Sequence, residues 1–400
     1  MAEQKPLRVV VTTRLFAPEV GAAAFRLKTL VDGLMEKGAD VTVITTKLPA
    51  GSPDLQVSYT LRRWPVLRDS GGYVRGYIQY LSFDIPAFFR LLATRADVVV
   101  SEPPPTTGIV VALSSLLRRR PYVYYAADIW TEALSAMSVP GAVKAAMRAV
   151  EGFVLRKAAL VLAVSEPVAE KVAAFGVPGA RIKVVGNGVD TTVFRPDAPS
   201  ANAAKRYFVY TGTMSEWQGA GIFIEALRTV REEFPDAEIR FLGQGTDEDH
   251  LKDLAAALVP GAVHFGGVVP PAEAAAWIRG AAGALVSIKP GQGYDFAKPT
   301  KIYAAAACGT PVVFAGRGDG ATLVTENELG IAAGYTTAAV ASAMRTLLAE
   351  PGLSGPGLAA APDQGRAHRI QWALDNASLQ ASGRLAAGEV LLAGTTTSSP

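Results

Sequence analysis

Short apolar runs alternate with longer amphipathic segments along the first half of the chain. The valine-rich run at 8–12 predicts a buried strand, residues 21–37 predict a helix, and residues 41–45 predict a second strand. The same pattern predicts further strands at 98–101, 122–126, 160–164 and 182–185. Because these runs are apolar throughout and helical segments separate most of them, we expect a parallel sheet covered by helices on both faces.

A second series of the same kind follows a break in the pattern. Turn-forming residues at 186–190 and prolines at 195–200 indicate a connection between two domains. Beyond it, strands are predicted at 208–210, 238–242, 262–265, 284–288 and 311–314. The predicted fold class is therefore α/β, with two doubly wound Rossmann-like domains facing each other across a cleft.

The predicted domain limits follow from these breaks. We assign residues 1–195 to the first domain and residues 196–365 to the second. Residues 366–392 predict a final helix, for which a return to the first domain is one option. The small polar residues at 393–400 predict a disordered tail.

Composition narrows the class of protein. Half of the 400 residues are hydrophobic and 19% are charged, which is typical of a globular chain. The single cysteine, Cys308, excludes a disulfide within the chain and a cysteine metal cluster. The first residues lack a secretory signal pattern, and no run of about eighteen apolar residues could span a membrane. We therefore expect a cytoplasmic protein, with peripheral attachment to the inner face of the membrane as an option.

The positive charge is concentrated in the first 150 residues. They contain 18 Lys and Arg against 12 Asp and Glu, whereas the remaining residues contain 21 against 24. Arginines at 62–75 and 118–120 accompany aromatic residues, and this fits either contact with an anionic membrane or an ordinary solvated surface. A nucleic-acid partner is disfavoured, because the isoelectric point near 8.8 is below the usual basic footprint.

Three glycine-containing turns in the second half each follow a predicted strand. They lie at Gly212-Thr213, Gly243-Gln244-Gly245 and Gly266-Gly267-Val268. Glycine lets a backbone approach a ligand closely, and the first two turns precede helical segments whose N-termini could accept a phosphate. Each turn alone is more typical of structure than of function. Three turns at corresponding positions favour a nucleotide or another phosphorylated ligand.

The loop that leads into the following helix is rich in cations. It contains Lys289, Lys298 and Lys301 together with Asp295, and Pro299 can occupy the helix start. Thr300 and Lys301 would then lie where free amides and the helix dipole favour an anion. On the residues alone, a solvated lysine loop and a diphosphate clamp explain the pattern equally well.

Five segments of the chain form a recognisable series. They are Phe16-Ala17-Pro18-Glu19-Val20-Gly21, Gly186-Asn187-Gly188-Val189-Asp190, Tyr210-Thr211-Gly212, Phe241-Leu242-Gly243-Gln244-Gly245 and the stretch from Pro299-Thr300-Lys301 to Gly309-Thr310-Pro311. In this order they resemble the family-four glycosyltransferases, which are retaining enzymes of the GT-B fold. The resemblance implies a nucleotide-sugar donor, with a UDP sugar favoured, and no metal or other cofactor. The chain looks closest to the branch acting on surface polysaccharides or lipid-linked sugars.

The resemblance also implies where the donor binds. The donor-binding positions are Gly212, Thr213, Gln218, Gly243, Gly245, Gly266, Val268, Lys289, Asp295, Lys298, Thr300 and Ala304. Among them, Gly212 and Thr213 match the turn near the diphosphate, and Gly266 and Val268 match backbone that meets the base. Lys301, at the phosphate-facing helix start, is a catalytic candidate because it could stabilise the departing diphosphate.

The first domain is implied to bind the acceptor. The matching positions are Glu19, Gly21, Arg26, Trp130 and Glu132. Asp128 is the second catalytic candidate, as a polar contact near the transferred sugar, although an aspartate at a strand end is also a common structural feature. A polysaccharide, a lipid-linked sugar and a natural product all remain open as acceptors.

Ala304 departs from the family pattern. Many members carry two glutamates separated by seven residues, and their positions fall here at Phe296, next to Asp295, and at Ala304. The second glutamate typically binds the ribose hydroxyls, which alanine cannot do. The departure leaves open a degenerate sugar-nucleotide-binding partner subunit, a nucleotide-sugar epimerase of the same fold, and an engineered replacement of a glutamate.

Overall fold

The chain forms two compact units in the computed structural model, which describes residues 5–19, 21–49, 55–69, 72, 74, 76–131, 140–201, 206–349 and 364–395. One unit contains the residues up to Asn187 together with those from Leu379 onward, and the other contains Gly188–Ser378. Each is built around one parallel β-sheet with helices between the strands. The prediction of two Rossmann-like α/β domains is confirmed.

Seven parallel strands form the sheet of the first unit within the described residues. They are β1 (Arg8–Thr12), β2 (Asp40–Thr46), β3 (Thr60–Trp64), β4 (Val98–Ser101), β5 (Tyr122–Ala126), β6 (Leu160–Ala163) and β7 (Ile182–Val184). Their order is β3-β2-β1-β4-β5-β6-β7. β4 and β5 are buried along their whole length, as expected of strands covered on both faces. The strand order reverses between β1 and β4, which makes their carboxyl ends the usual place for a ligand.

Helices cover both faces of this sheet. They are α1 (Ala22–Glu36), α2 (Tyr77–Ala93), α3 (Pro105–Leu117), α4 (Gly141–Lys157), α5 (Glu166–Ala174) and the C-terminal α13 (Leu379–Thr395), with a short 3-10 helix at Gly179–Arg181. α13 packs against α1 through two glycines. A β-carbon on Gly33 would lie 2.9 Å from the carbonyl oxygen of Gly383, and one on Gly383 would lie 2.5 Å from the backbone of Thr29. The two helices can therefore approach this closely only without side chains there.

The second unit contains a six-stranded parallel sheet. Its strands are β8 (Tyr207–Thr211), β9 (Glu238–Leu242), β10 (Val263–Phe265), β11 (Gly283–Ser287), β12 (Val312–Ala315) and β13 (Gly330–Ala333), in the order β10-β9-β8-β11-β12-β13. Its helices are α6 (Gly221–Val230), α7 (Glu248–Leu258), α8 (Pro271–Gly280), α9 (Thr300–Cys308), α10 (Asp319–Glu326), α11 (Thr337–Ala349) and α12 (Gln364–Asn376). The order reverses between β8 and β11, so a ligand site is expected at their carboxyl ends.

Small side chains fix the position of α9. Its four successive alanines, Ala304 to Ala307, are each no more than 6% exposed, and the helix contacts β11, β12 and α12. Gly309 ends the helix with a φ of 78°, a left-handed conformation that glycine adopts readily. The alanine run is therefore a packing feature that lets α9 lie close to the sheet and to α12.

Three predicted boundaries differ from the structure. The units divide at Asn187 and Gly188 rather than after residue 195, because Val189 forms a β-bridge with Ser378 inside the second unit. The same bridge separates α12 from α13, so the helix predicted at 366–392 is two helices. The predicted tail at 393–400 begins as helix through Thr395, and residues 396–400 lie outside the described residues.

Two strands have no counterpart in the sequence prediction. β3 contains Arg62 and Arg63 and is partly exposed, whereas β13 has the sequence Gly-Ile-Ala-Ala with small side chains. Both lie at an edge of their sheet. β3 contains mainly polar residues, and β13 has only one large apolar side chain, so neither shows the continuous apolar run by which buried strands are predicted.

Candidate functional site

The three glycine turns of the second unit meet beyond the carboxyl ends of their strands. The Gly212 amide donates to Leu242 O at 2.7 Å, and the Gly243 amide donates to Gly267 O at 2.7 Å. The Met214 amide continues the series to Gln244 O at 3.1 Å. Backbone bonds thus join the turns after β8, β9 and β10 into one surface.

Two of these turns accept only glycine. A β-carbon on Gly243 would lie 1.9 Å from the carbonyl oxygen of Gly212, and one on Gly245 would lie 1.9 Å from that of Met214. Gly243 also has a φ of 142° and Gly212 a φ of 98°, conformations that other residues rarely adopt. The glycines therefore bring neighbouring turns into contact, which explains their spacing without any ligand.

Lys301 brings a cation to the turn after β8. It lies in the first turn of α9, with its Nζ 3.2 Å from Thr213 O and 4.0 Å from the ring centroid of Tyr210. Among the described residues, no carboxylate forms an ion pair with it. Desolvation by the surrounding protein lowers the pKa of this half-buried ammonium group to about 7. Lys301 therefore lies beside Gly212 and Thr213, where an anionic ligand would stabilise its protonated form.

Gln218 supports the same turn from beneath. Its side chain is buried, and Oε1 accepts hydrogen bonds from the Tyr210 hydroxyl at 3.1 Å and the Ser215 amide at 3.2 Å. These contacts fix the backbone that carries Thr213. Gln218, which was predicted to bind the donor, therefore stabilises the loop that carries Thr213.

The remaining predicted donor residues are spread along neighbouring loops. Lys289, Lys298, Thr300 and Val268 have exposed side chains, and the Lys289 amide donates to Trp217 O at 2.9 Å. Asp295 is directed towards Arg317, with Oδ1 3.8 Å from the guanidinium Nε. The Asp295 carbonyl also accepts the Asp319 amide at 2.9 Å, at the start of α10. Asp295 is therefore engaged on the α10 side of the loop.

Ala304 lies one turn after Lys301 on the same side of α9, because residues three apart on a helix are neighbours. It is 6% exposed and belongs to the apolar cluster beneath the helix. The position that carries a glutamate in many family members is thus adjacent to the cation but offers only a methyl group.

The first unit has a buried ion pair at the carboxyl ends of β1 and β4. Arg26, from α1, contacts Glu102 Oε2 at 3.1 Å, and the Thr13 hydroxyl donates to Glu102 Oε1 at 2.6 Å. Arg26 also lies over the ring of Tyr125 at 5.3 Å. Burial raises the pKa of Glu102, and Arg26 is the strongest influence opposing that rise. Arg26 was predicted on the acceptor side, and Glu102 was not predicted.

A second pair of buried charges lies beside the first. The Arg14 guanidinium is 3.6 Å from the ring centroid of Tyr80, and the Thr107 hydroxyl donates to Asp84 Oδ1 at 2.6 Å. Burial lowers the pKa of Arg14 and raises that of Asp84. Asp84 lies among the buried apolar residues of α2. A single acidic residue within an apolar helix face is therefore the sequence signal that could have identified this buried charge.

Asp128 follows β5 near the same edge of the sheet. The residue is exposed, yet partial desolvation of the carboxylate raises its pKa, while the charge of Arg26 opposes the rise. The next residues are held by Glu151, which accepts the amides of Trp130 at 2.8 Å and Thr131 at 3.0 Å. Glu151 therefore caps the helical turn that begins at Trp130.

The other predicted acceptor-side residues have separate structural contacts. Glu19 pairs with Arg68 at 2.9 Å, and Gly21 directly precedes α1. Glu132 lies outside the described residues. Within the described part of the chain, no group of His, Cys, Asp or Glu side chains could hold a metal ion. None of the helices described there is both long and apolar enough to cross a membrane.

Two family models match the chain, one in each unit. A glycosyl transferase 4-like domain matches residues 21–188, and a glycosyl transferases group 1 domain matches residues 205–350. The chain belongs to the family-four glycosyltransferases, with the two Rossmann-like domains of the GT-B fold.

A known relative agrees with this membership, and solved structures share the fold. The D-inositol 3-phosphate glycosyltransferase of Acidothermus cellulolyticus is 31% identical over 198 residues, which are 45% of this chain and 43% of that protein. The match thus spans less than half of that relative. Anabaena Alr3699/HepE in complex with UDP-glucose has a TM-score of 0.68 at 17% identity, covering 96% of this chain and 100% of that one. WaaG, a glycosyltransferase involved in lipopolysaccharide biosynthesis, has a TM-score of 0.69 at 15% identity, covering 96% and 99%.

Proposed function

We propose that the protein is a retaining glycosyltransferase that moves a sugar from a nucleotide sugar, preferably a UDP sugar, to an acceptor hydroxyl. The observation that carries the proposal is Lys301, a cation with no described acidic partner beside the glycine turn after β8. This is where a diphosphate is expected in a sheet of this topology. The UDP-glucose bound by the structural neighbour Alr3699/HepE supports the choice of nucleotide.

Departure of a nucleoside diphosphate builds negative charge on its phosphate oxygens. Lys301 and the free amides at the start of α9 would stabilise that charge, and Lys289 and Lys298 would add a favourable field. The bond from the anomeric carbon to the phosphate oxygen breaks as the bond to the acceptor oxygen forms on the same face. A leaving phosphate oxygen takes the acceptor proton. We assign Asp128 to a polar contact with the sugar or the acceptor.

For the acceptor, we propose a hydroxyl of a polysaccharide, a lipid-linked sugar or a natural product. The resemblance of the Pro299-Thr300-Lys301 segment to the surface-polysaccharide branch favours the first two. A cytoplasmic location would give such an enzyme access to nucleotide sugars.

A ligand screen followed by product analysis tests the proposal. Purified protein would be melted with UDP-, GDP-, ADP- and dTDP-sugars, because a ligand that binds the folded state raises the melting temperature. We expect the largest shift with a UDP sugar and, with an acceptor, a product that keeps the donor's anomeric configuration. No shift with any donor would reject the transferase. Epimerised donor without acceptor would indicate an epimerase, and binding without turnover a degenerate binder.

Replacing Ala304 by glutamate is expected to tighten UDP binding. A carboxylate one turn after Lys301 would supply the charged acceptor for ribose hydroxyls that the family pattern has at this position. A hydrogen bond to a charged group is worth roughly 1.5–3 kcal/mol, so the dissociation constant should fall about tenfold to a hundredfold. Isothermal titration calorimetry with UDP measures it.

Ala304→Gln is the matched control for this change. Glutamine has the size of glutamate but no charge, so it reproduces the steric effect of filling a buried position. We expect it to bind UDP more weakly than Ala304→Glu. An unchanged dissociation constant in a folded Ala304→Glu variant would show that position 304 does not contact the ribose.

A further inference from the structure

One side of α2 presents apolar side chains to solvent. Tyr77, Leu81, Ile85 and Phe89 follow one another at intervals of four residues, and each is between 48% and 64% exposed. The opposite side of the helix, with Phe83 among its residues, is buried. An amphipathic helix normally exposes its polar side, so the exposed apolar stripe is not explained by folding of the unit.

The neighbouring helix α3 extends this surface. Leu113, Leu116 and Leu117 are exposed near its C-terminal end. α2 and α3 pack side by side, joined by the buried hydrogen bond from Thr107 to Asp84. The outward residues of the two helices therefore form one surface, the α2/α3 apolar face, defined by Tyr77, Ile78, Leu81, Ile85, Phe89, Leu113, Leu116 and Leu117.

Arginines border this face at one end. The Arg120 guanidinium donates to Leu91 O and to Thr94 O, both at 2.8 Å, so the C-terminal ends of α2 and α3 lie together. Arg95, Arg118 and Arg119 are exposed at these ends. The accessible charge beside the apolar residues is therefore positive.

The acidic residues of the same segment do not neutralise these arginines. Between residues 76 and 120 they are Asp84, Asp97 and Glu102. Asp84 accepts from Thr107, Asp97 pairs with Arg8, and Glu102 pairs with Arg26. Each carboxylate of this segment is thus engaged within the unit, and the α2/α3 apolar face combines exposed hydrophobic area with exposed arginines.

We propose that the α2/α3 apolar face docks on the surface of an anionic lipid bilayer. Its aromatic and aliphatic side chains insert between the headgroups, while Arg95, Arg118 and Arg119 contact lipid phosphates. The charge pattern selects this occupant, because an apolar patch bordered by arginines complements an anionic interface, whereas the same face of a second copy presents no acidic residue of this segment to the arginines. The helices lie along the interface and do not cross it.

Flotation with lipid vesicles tests this docking without any nucleotide sugar, so its outcome is independent of the proposed transfer reaction. The full chain would be floated with vesicles of phosphatidylcholine alone and of phosphatidylcholine with an equal part of phosphatidylglycerol. We expect binding to the anionic vesicles, weakened by salt. Removing one arginine charge with Arg118→Gln or Arg119→Gln should lower the partition coefficient about fivefold.

The apolar contribution is tested by Ile85→Glu with Phe89→Glu, which should lower partitioning at least tenfold. The matched control is Leu385→Glu with Leu392→Glu, which replaces two exposed leucines of α13. α13 packs on the opposite side of the sheet from α2 and α3. Thermal melting verifies that each variant folds. Absence of wild-type binding to anionic vesicles, or equal losses in both double variants, overturns the proposal. Self-association that the first variant abolishes, without vesicle binding, would instead assign the face to a second copy.

Discussion

Replacing Arg26 by methionine is expected to destabilise the first unit by about 3–5 kcal/mol. Methionine retains much of the volume but leaves Glu102 as a buried carboxylate without its cation. In the wild type, Arg26 and Glu102 are only 6% and 5% exposed in their side chains and are 3.1 Å apart. Water cannot replace the lost charge at such a site, so the desolvation cost of Glu102 is no longer offset. Urea unfolding monitored by circular dichroism measures the change.

The deficit should depend on pH in a defined direction. Burial raises the pKa of Glu102, and Arg26 is the main influence that lowers it, so the variant has a still higher pKa. A protonated Glu102 needs no cation. The variant should therefore be most destabilised at neutral to alkaline pH and recover as the pH falls through the raised pKa. Adding Glu102→Gln to the variant should remove this pH dependence.

Lys28→Met is the matched control on the same helix. Lys28 pairs with Asp32 at 2.6 Å, but the two side chains are 32% and 45% exposed. Such a surface pair contributes less than about 1 kcal/mol, and water solvates either partner when the other is removed. Equal losses for Arg26→Met and Lys28→Met would contradict the role given to burial.

Local sequence patterns predicted the strands and turns because the responsible residues are close together along the chain. β1, β4, β5 and β9 have the predicted bounds. The first three are short, mainly apolar runs, whereas β9 alternates Glu-Ile-Arg-Phe before Leu242, and both patterns are typical of strands. The glycine turns were also visible, although the reason for glycine at position 243 is contact with a different turn. That contact depends on the pairing of β8 with β9, which no local pattern contains.

Buried charges were harder to predict because their partners are distant in sequence. Glu102 meets Thr13 and Arg26 only because β1 and β4 are neighbours in the sheet. Likewise, the pKa of Lys301 is lowered because the fold desolvates its ammonium group, next to Tyr210 and Thr213 from a distant part of the chain. Sequence can indicate that an acid or base is present, whereas its protonation depends on the solvent and charges that the fold places around it.

The alanine run of α9 shows the same limit. Comparison with the family pattern identifies Ala304 by the carboxylate it lacks, and the nearest acidic residue to the family's other glutamate position is Asp295. In the structure, Asp295 is directed to Arg317 and Ala304 packs in the core. We therefore expect donor binding to depend more heavily on Lys301 than the family pattern would suggest.

Lys301→Met is accordingly expected to lower kcat/KM for the sugar nucleotide about 10²–10³-fold, the usual loss when one donor to a developing negative charge is removed. The effect is large because no second cation is within contact of Thr213 in the described residues. Transfer rates with the donor identified in the screen measure it. Lys298→Met, an exposed lysine three residues earlier, is the control and should change the rate only slightly. Similar losses in the two variants would mean that Lys301 acts only through the general field of the loop.

The pH dependence of donor binding tests the role of the Lys301 charge more specifically than the transfer rate does. Its pKa of about 7 in the free protein means that the ammonium form becomes scarce above pH 7, whereas a bound diphosphate would stabilise that form. UDP affinity should therefore fall between about pH 7 and 9, with uptake of close to one proton on binding, detectable by calorimetry in buffers of different ionisation enthalpy. In Lys301→Met both effects should disappear. Titration of the ligand itself affects both proteins equally, so it cancels in the comparison.

The ligand-free wild type should also gain stability relative to Lys301→Met as the pH rises from about 7 towards 10, because only the unfolded wild-type chain still holds the proton on Lys301 in this range. Proton uptake that persists in Lys301→Met would assign the titration to another group.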